Sequence, residues 1–424
     1  GHGWVELGPP FGTHTSLYLA SCLGQAREAM ETICLALGFQ DSAGKSKHLA
    51  GVVKNKINQD FWNESKGHFH QGIKTDGSFH EMPSVMPSVT ALFGLMDSTK
   101  LQHFIDFTAG NEYATAYGSR ILSNLLPLYK PNGYHSGSVW PLFTGWHSLA
   151  AWKAGRIELA LPLTRANLMI YNDWGYGYSE EVLNGDVYKP SGVCRHQCWS
   201  ETMALQPVVE GMLGFVPDAP RKTVTLQPCL PEHWDHFKVE NLRCGNTRIH
   251  AEMEKTGNTI HWFLQCSPDS VQVRFRPVMA KGAKVRCVKV NGLIVKPPIL
   301  PISGGSFCLD FFLLLSDQVH VEIDYSPGFA VIPTEDDIQP GASPDHLSIL
   351  KTETQETAVG TLFRLKVQAP SGSFQPLKIL LPNRKKYKVT GAEIKGRNGR
   401  ILELLIPFES SSYRYLEKIL TLTP

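Results

Sequence analysis

Apolar residues recur at helical spacing through the first half of the chain. Residues 15–37 (TSLYLASCLGQAREAMETICLAL) form one such stretch, which stops at Gly38. Similar spacing predicts helices over 45–62, 84–96, 98–107, 138–154, 158–172 and 197–214. That makes seven helices up to about residue 215, with no alternating run between them. After Pro217 the period changes to two. Strands are predicted from Val224 and over 247–254, 258–266, 271–275 and 284–290. In 318–325 (QVHVEIDY), Val319, Val321, Ile323 and Tyr325 share one face, and His320, Glu322 and Asp324 the other. Asn291-Gly292 marks a hairpin turn. Residues 326–345 are rich in Pro, Gly and acid and lack a period. Alternation returns from 346 to 424. The expected organisation is a helical region over 1–216, a β-sandwich over 217–326, a linker over 327–345 and a second small sandwich over 346–424. No repeat of fixed period appears.

Composition narrows the class. The 424 residues are 42% hydrophobic and 19% charged, which permits a large core and excludes wholesale disorder. The net charge of +2 supplies no basic field for nucleic acid or an anionic membrane. No apolar run reaches the roughly 20 residues of a membrane span. The nine cysteines form no C-x-x-C pair, so reduced thiols are expected, with a slight lean towards the cytoplasm. The chain starts at Gly1, so its N-terminus carries no information on targeting.

Candidate chemistry sits in loops. Residues 1–14, 127–146 and 173–199 each combine Trp or Tyr with a carboxylate or His. Flat rings suit the C–H faces of sugars, and polar groups suit their hydroxyls. Acid–base cleavage of a glycosidic bond needs two carboxyl groups. Each residue also has an ordinary structural role. The tryptophans fit a core, Glu6 a helix start, and Glu180 and Glu181 a solvated loop. Cys194, His196 and Cys198 lack the second ligand pair of a metal site. Gly175 and Gly177 form no nucleotide-binding loop.

HSGSVWPLFTGW (135–146) resembles the H-x-G-x-V-W-P-x-x-x-G motif of six-hairpin, (α/α)6-barrel glycosidases. GWVELG (3–8) resembles the W-x-D/E element that carries their general acid. EVLNGDVYKPSGVCRHQCWS (181–200) is similar to the debranching-type element E-x-x-D-G-D…G-C-x-x-Q-A-W-S, whose opening Glu is the base. LPEHWDHFKVENLRCG (230–245) resembles the first strands of the sandwich that follows the barrel. Asn184, Cys198 and Glu6 stand where debranching enzymes carry Asp, Ala and Asp.

The resemblance implies a multidomain protein: an all-α incomplete (α/α)6 toroid followed by antiparallel β-sandwich domains. It implies a glycoside hydrolase resembling amylo-α-1,6-glucosidases, inverting, and needing neither metal nor organic cofactor. Glu6 is then the general acid and Glu181 the general base. Trp140, Trp146, Trp174 and Tyr176 are the stacking residues, and Trp4, an apolar neighbour of the acid, is a further substrate-binding candidate. Arg120, His135 and Glu180 are the remaining substrate-binding candidates. Six helices separate Glu6 from Glu181, as between the sixth and twelfth of the family, so an upstream barrel segment is expected to be missing. The partner is an oligo- or polysaccharide. The alternatives are an α-L-rhamnosidase, another six-hairpin exo-glycosidase, a phosphorylase, or a non-catalytic carbohydrate-binding fragment. The sequence carries no signal for the sugar, the linkage or the oligomeric state.

Overall fold

The computed structural model describes residues 12–424 apart from Tyr176, Ser303, Glu335, Asp336 and Val359. The described residues cluster into two units. One holds residues up to 207 and residues 337–350; the other holds 208–334 and 351–424. Thus part of the segment read as a linker, and the first residues of the segment read as a second sandwich, cluster with the helices.

The helical unit contains α1 (Leu17–Ala36), α2 (Gln40–Asp60), α3 (Ser88–Leu92), α4 (Ser98–Thr108), α5 (Pro141–Lys153), α6 (Ile157–Ile170) and α7 (Cys198–Gln206). Helix α1 packs on α2, and α5 packs on α3, α6 and α7. Pro141 opens α5 at a position where a missing N–H breaks no helical bond. All but one of the thirteen α5 residues are buried, so α5 is the central helix of its neighbourhood. Gly145 lets α7 approach, because a Cβ there would collide with Met203. Helix α6 continues into a wide π turn, Tyr171–Gly175.

Paired two-residue strands lie between the helices, such as Trp62–Asn63 with His68–Phe69, and Ala114–Thr115 with Gly118–Ser119. Such ladders are too short to produce an alternating pattern in sequence.

Among the described residues, the strand pairs of the second unit are antiparallel apart from one parallel pair, Thr223–Leu226 with Val271–Phe275. The strands His236–Cys244, Thr247–Thr256 and Thr259–Ser267 run on to Gln318–Ser326 and Lys284–Val290 in a six-stranded sheet. Val319, Val321, Ile323 and Tyr325 all face the core, as their alternation predicts. Asn291 and Gly292 both have positive φ and join the paired Val290 and Leu293. Trp262, Phe275 and Leu264 lie in the core of this sandwich. Residues beyond 351 contribute strands to two further four-stranded sheets, whose buried residues include Phe363, Leu365, Ile379, Leu404 and Leu420.

Candidate active site

The two motif loops of the helical unit meet backbone to backbone. Val139 and Leu183 exchange both main-chain hydrogen bonds, at 2.9 and 2.8 Å. The Gly185 N–H donates to Pro131 O at 2.8 Å. A Cβ on Gly185 would collide with Gly137 O and the Tyr129 hydroxyl, and one on Gly137 with Lys130 O. The glycines of both motifs are therefore required by close approach. Asn184 shapes the second loop: its Oδ1 accepts from the N–H groups of Asp186 (2.8 Å) and Val187 (2.9 Å). An Asp side chain offers the same acceptor, so the departure at 184 preserves the turn.

This contact places Glu181 beside the residues of the first motif. The carboxylate is 5% exposed and accepts at Oε1 from the Tyr134 hydroxyl at 2.6 Å. Its own N–H donates to Cys194 O at 2.9 Å. Tyr134 is held in turn. Its ring packs 4.5 Å from Trp140, and its carbonyl accepts from the Trp140 indole N–H at 2.7 Å.

Glu180 is equally buried, and its Oε2 has no hydrogen-bond partner. Burial pushes its carboxyl up, and the Arg195 charge offsets this in part. The neighbouring carboxylates therefore sit in different surroundings.

Trp140 is fully buried and stacks on His135, which is itself buried. Phe143 packs edge-on against Trp140 and Trp146. Trp146 stacks on Tyr18, a partly buried ring at the start of α1. Arg120 is buried. Its Nε donates to Gly185 O at 2.8 Å and its Nη1 to Asn111 O at 2.6 Å, with Asp186 Oδ1 3.7 Å from Nη2. It thus ties loops together through their carbonyls. Trp174 packs edge-on against Tyr188, whose hydroxyl donates to Asp173 at 2.6 Å.

Glu181, Tyr134, His135 and Trp140 thus form one connected group, and Arg120 adjoins it through Gly185. Trp4, Glu6 and Tyr176 lie outside the described residues. Sequence reasoning passed over Tyr134, although it directly precedes the motif histidine, and Tyr18, which reads as a helix-start residue.

Because Trp140 is wholly enclosed, Trp140→Ala is expected to lower stability by about 3–5 kcal/mol. Urea unfolding measures this. A change below about 1 kcal/mol would show that the indole is not a core element.

Among the described residues, one group could gather around a metal: His236, Glu252 and Glu254 in the second unit, on its surface strands. None of the three belongs to the helical unit.

Residues 13–200, just under half of the chain, match the mannosylglycerate hydrolase MGH1-like glycoside hydrolase domain. No curated protein sequence matches. Among solved structures, a GH63 mannosylglycerate hydrolase from Thermus thermophilus in complex with Tris is similar at 14% identity and TM-score 0.37. The match covers 45% of this chain and 44% of that one. An α-L-rhamnosidase from Dictyoglumus thermophilum matches at 12% identity and TM-score 0.41, over 69% of this chain and 30% of that one. A sialidase matches at 15% identity and TM-score 0.49, over 62% and 26%. The chain thus spans less than half the length of these structures. The family match covers the motif loops, Tyr134 and Glu181, and over these residues the chain is similar to a glycoside hydrolase domain.

Proposed function

We propose that this chain takes part in inverting hydrolysis of a glycosidic bond, with Glu181 as general base and Glu6 as general acid. The observation that carries the reading is the buried Glu181 carboxylate, fixed by the Tyr134 hydroxyl at 2.6 Å. That bond occupies one oxygen and orients the other, which can then take a proton from water. An inverting pair needs roughly 6.5–9.5 Å between its carboxyl groups to admit that water. The Tyr134–Trp140–His135 group packs beside the base, and Trp146, buried in the same core, stacks on the half-buried Tyr18. Two substrate classes compete. The sequence resemblance favours α-1,6-linked glucosides, and the family description favours glycosides of a small hydroxy acid, such as mannosylglycerate. Product analysis on isomaltose, branched dextrins, mannosylglycerate and aryl rhamnosides separates them. No turnover on any of these, by this chain or by a longer form of the protein, would sink the proposal.

Tyr134→Phe is expected to lower kcat about 10- to 100-fold, the weight of one hydrogen bond to a charged group. Steady-state kinetics measure it, and an unchanged kcat would remove Tyr134 from the mechanism.

A second reading gives the proton-donor role to Glu180, because burial favours its neutral form. Loss of the acid impairs natural sugars far more than aryl glycosides with good leaving groups. Comparing Glu6→Gln with Glu180→Gln on both substrate types identifies the donor.

A further inference from the structure

Residues 337–350 pack against the loops that present Glu181. Asp337 pairs with Arg165 at 2.7 Å. Pro340 and Gly341 then form a turn, with Ala342 N–H donating to Gln339 O at 2.9 Å. Gly341 takes φ +88°, as the third residue of a type II turn must. At this turn Gly341 N–H donates to Tyr188 O at 2.9 Å, and Tyr188 N–H donates to Ala342 O at 3.0 Å. Ile338 and Ala342 pack on Tyr117, Val139, Leu183 and Tyr188.

Farther along, Ala116 N–H donates to Pro344 O at 2.9 Å. Asn111 then makes a three-bond lock. Its Oδ1 accepts from His346 N–H at 3.0 Å, and its Nδ2 donates to His346 O at 2.9 Å and to Ser348 Oγ at 3.0 Å. Buried Arg156, paired with Asp106 and Glu158, closes the far end by donating to Ile349 O and Leu350 O.

The same loops carry the base. Tyr188 ends the turn that Asn184 opens, through Asn184 N–H to Lys189 O at 2.9 Å. Leu183 is bonded to Val139, and Glu181 lies two residues before it. Arg120 bonds both Asn111 O and Gly185 O, so the lock and the base-bearing loop share one guanidinium.

We propose that residues 337–350 are a strap that sets the position of Glu181, and that Asn111 is a positioning residue which acts by locking this strap at His346. Its bearing on turnover rests on the glycosidase reading above. The strap itself is a claim about which loop it holds. Losing the lock frees 341–346, then the Tyr188 pair, then the turn at 184–189. A displacement of even ~1 Å of a catalytic group lowers rate by ~100-fold.

The test is amide hydrogen exchange on the full chain, comparing wild type with Asn111→Ala and Asn111→Asp. Asp keeps the acceptor for His346 N–H and loses both donations. With Ala, exchange over 179–190 and 337–350 is expected to accelerate at least about 10-fold, with Asp in between and strands 247–267 unchanged. Three results overturn the strap: acceleration over 337–350 alone, equal acceleration in both units, or none. In an active form, Asn111→Ala should lower kcat about 10-fold with KM within about twofold. Equal losses in Ala and Asp variants through KM alone would refute the positioning role. If wild type turns over no glycoside, the glycosidase reading fails, and the exchange result still decides the strap.

Discussion

Glu181→Gln is expected to lower kcat about 1,000-fold while moving the unfolding midpoint little. Gln fills the same space and keeps an oxygen to accept from the Tyr134 hydroxyl, so the bond at 2.6 Å survives in weaker form. What is lost is the ability to take a proton from water at the moment of attack. General-base catalysis typically contributes roughly 100- to 10,000-fold, so a drop of that size is the expected signature. Glu180→Gln provides the comparison. Its Oε2 has no partner, and its carboxyl is held towards the neutral form by burial. No hydroxyl orients it as Tyr134 orients Glu181, so its substitution should cost less. Rates measured for both variants on one substrate decide the matter. A larger loss for Glu180→Gln would transfer the base role to that residue.

Acid should unfold the helical unit through two buried histidines. His147 is enclosed between Thr108 and Ser119, each 2.9 Å from a ring nitrogen, and burial together with the Arg156 charge lowers its pKa to about 3. His346 is lowered to about 4, chiefly by burial. Both are neutral in the fold and titrate near 6.5 when unfolded. Their contribution is complete above about pH 6.5. It falls as pH drops, and the loss is complete only below about 4 for His346 and about 3 for His147. Within that window each histidine removes about 1.4 kcal/mol per pH unit. His68 and His70 are also lowered by burial and act with the same sign. Glu180, raised in the fold, acts with the opposite sign above its ordinary range. Urea midpoints between about pH 7 and 4.5 test this. His147→Gln and His346→Gln should each flatten the decline, and together should remove most of it. A decline as steep in the double variant would place the acid sensitivity elsewhere.

Much of the architecture was legible because its signals are local. The seven helical stretches each overlap an observed α-helix, though α2 starts at Gln40 rather than 45, since a buried helical face repeats every three or four residues within one segment. The strand 318–325 and the turn at 291–292 were equally readable, because alternation and positive φ are properties of neighbouring residues. The motif glycines at 137, 145 and 185 could be recognised in sequence, but their reason lies in another part of the chain: carbonyls and side chains at 129–130, 137 and 203 leave no room for a Cβ.

The rest depended on contacts between distant positions. Nothing in the composition around Trp140 distinguishes a sugar-stacking wall from a core residue. The packing of Phe143, Tyr134 and His135 around it decided for burial in this structure. Arg120 is a substrate-binding candidate by resemblance, but the carbonyls of residues 111 and 185 take its Nε and Nη1 N–H groups. Tyr134 gained significance only when the 181 loop brought a carboxylate to its hydroxyl. Residues 337–350 lack a period because they form no regular face, so their polarity reads as a linker. Their order comes from single hydrogen bonds to Tyr188, Ala116 and Asn111, up to 235 positions away. Periodicity thus determined which elements form, because it records each segment's own buried face. Tertiary structure decided which polar groups face one another, because such pairs leave no pattern along the chain.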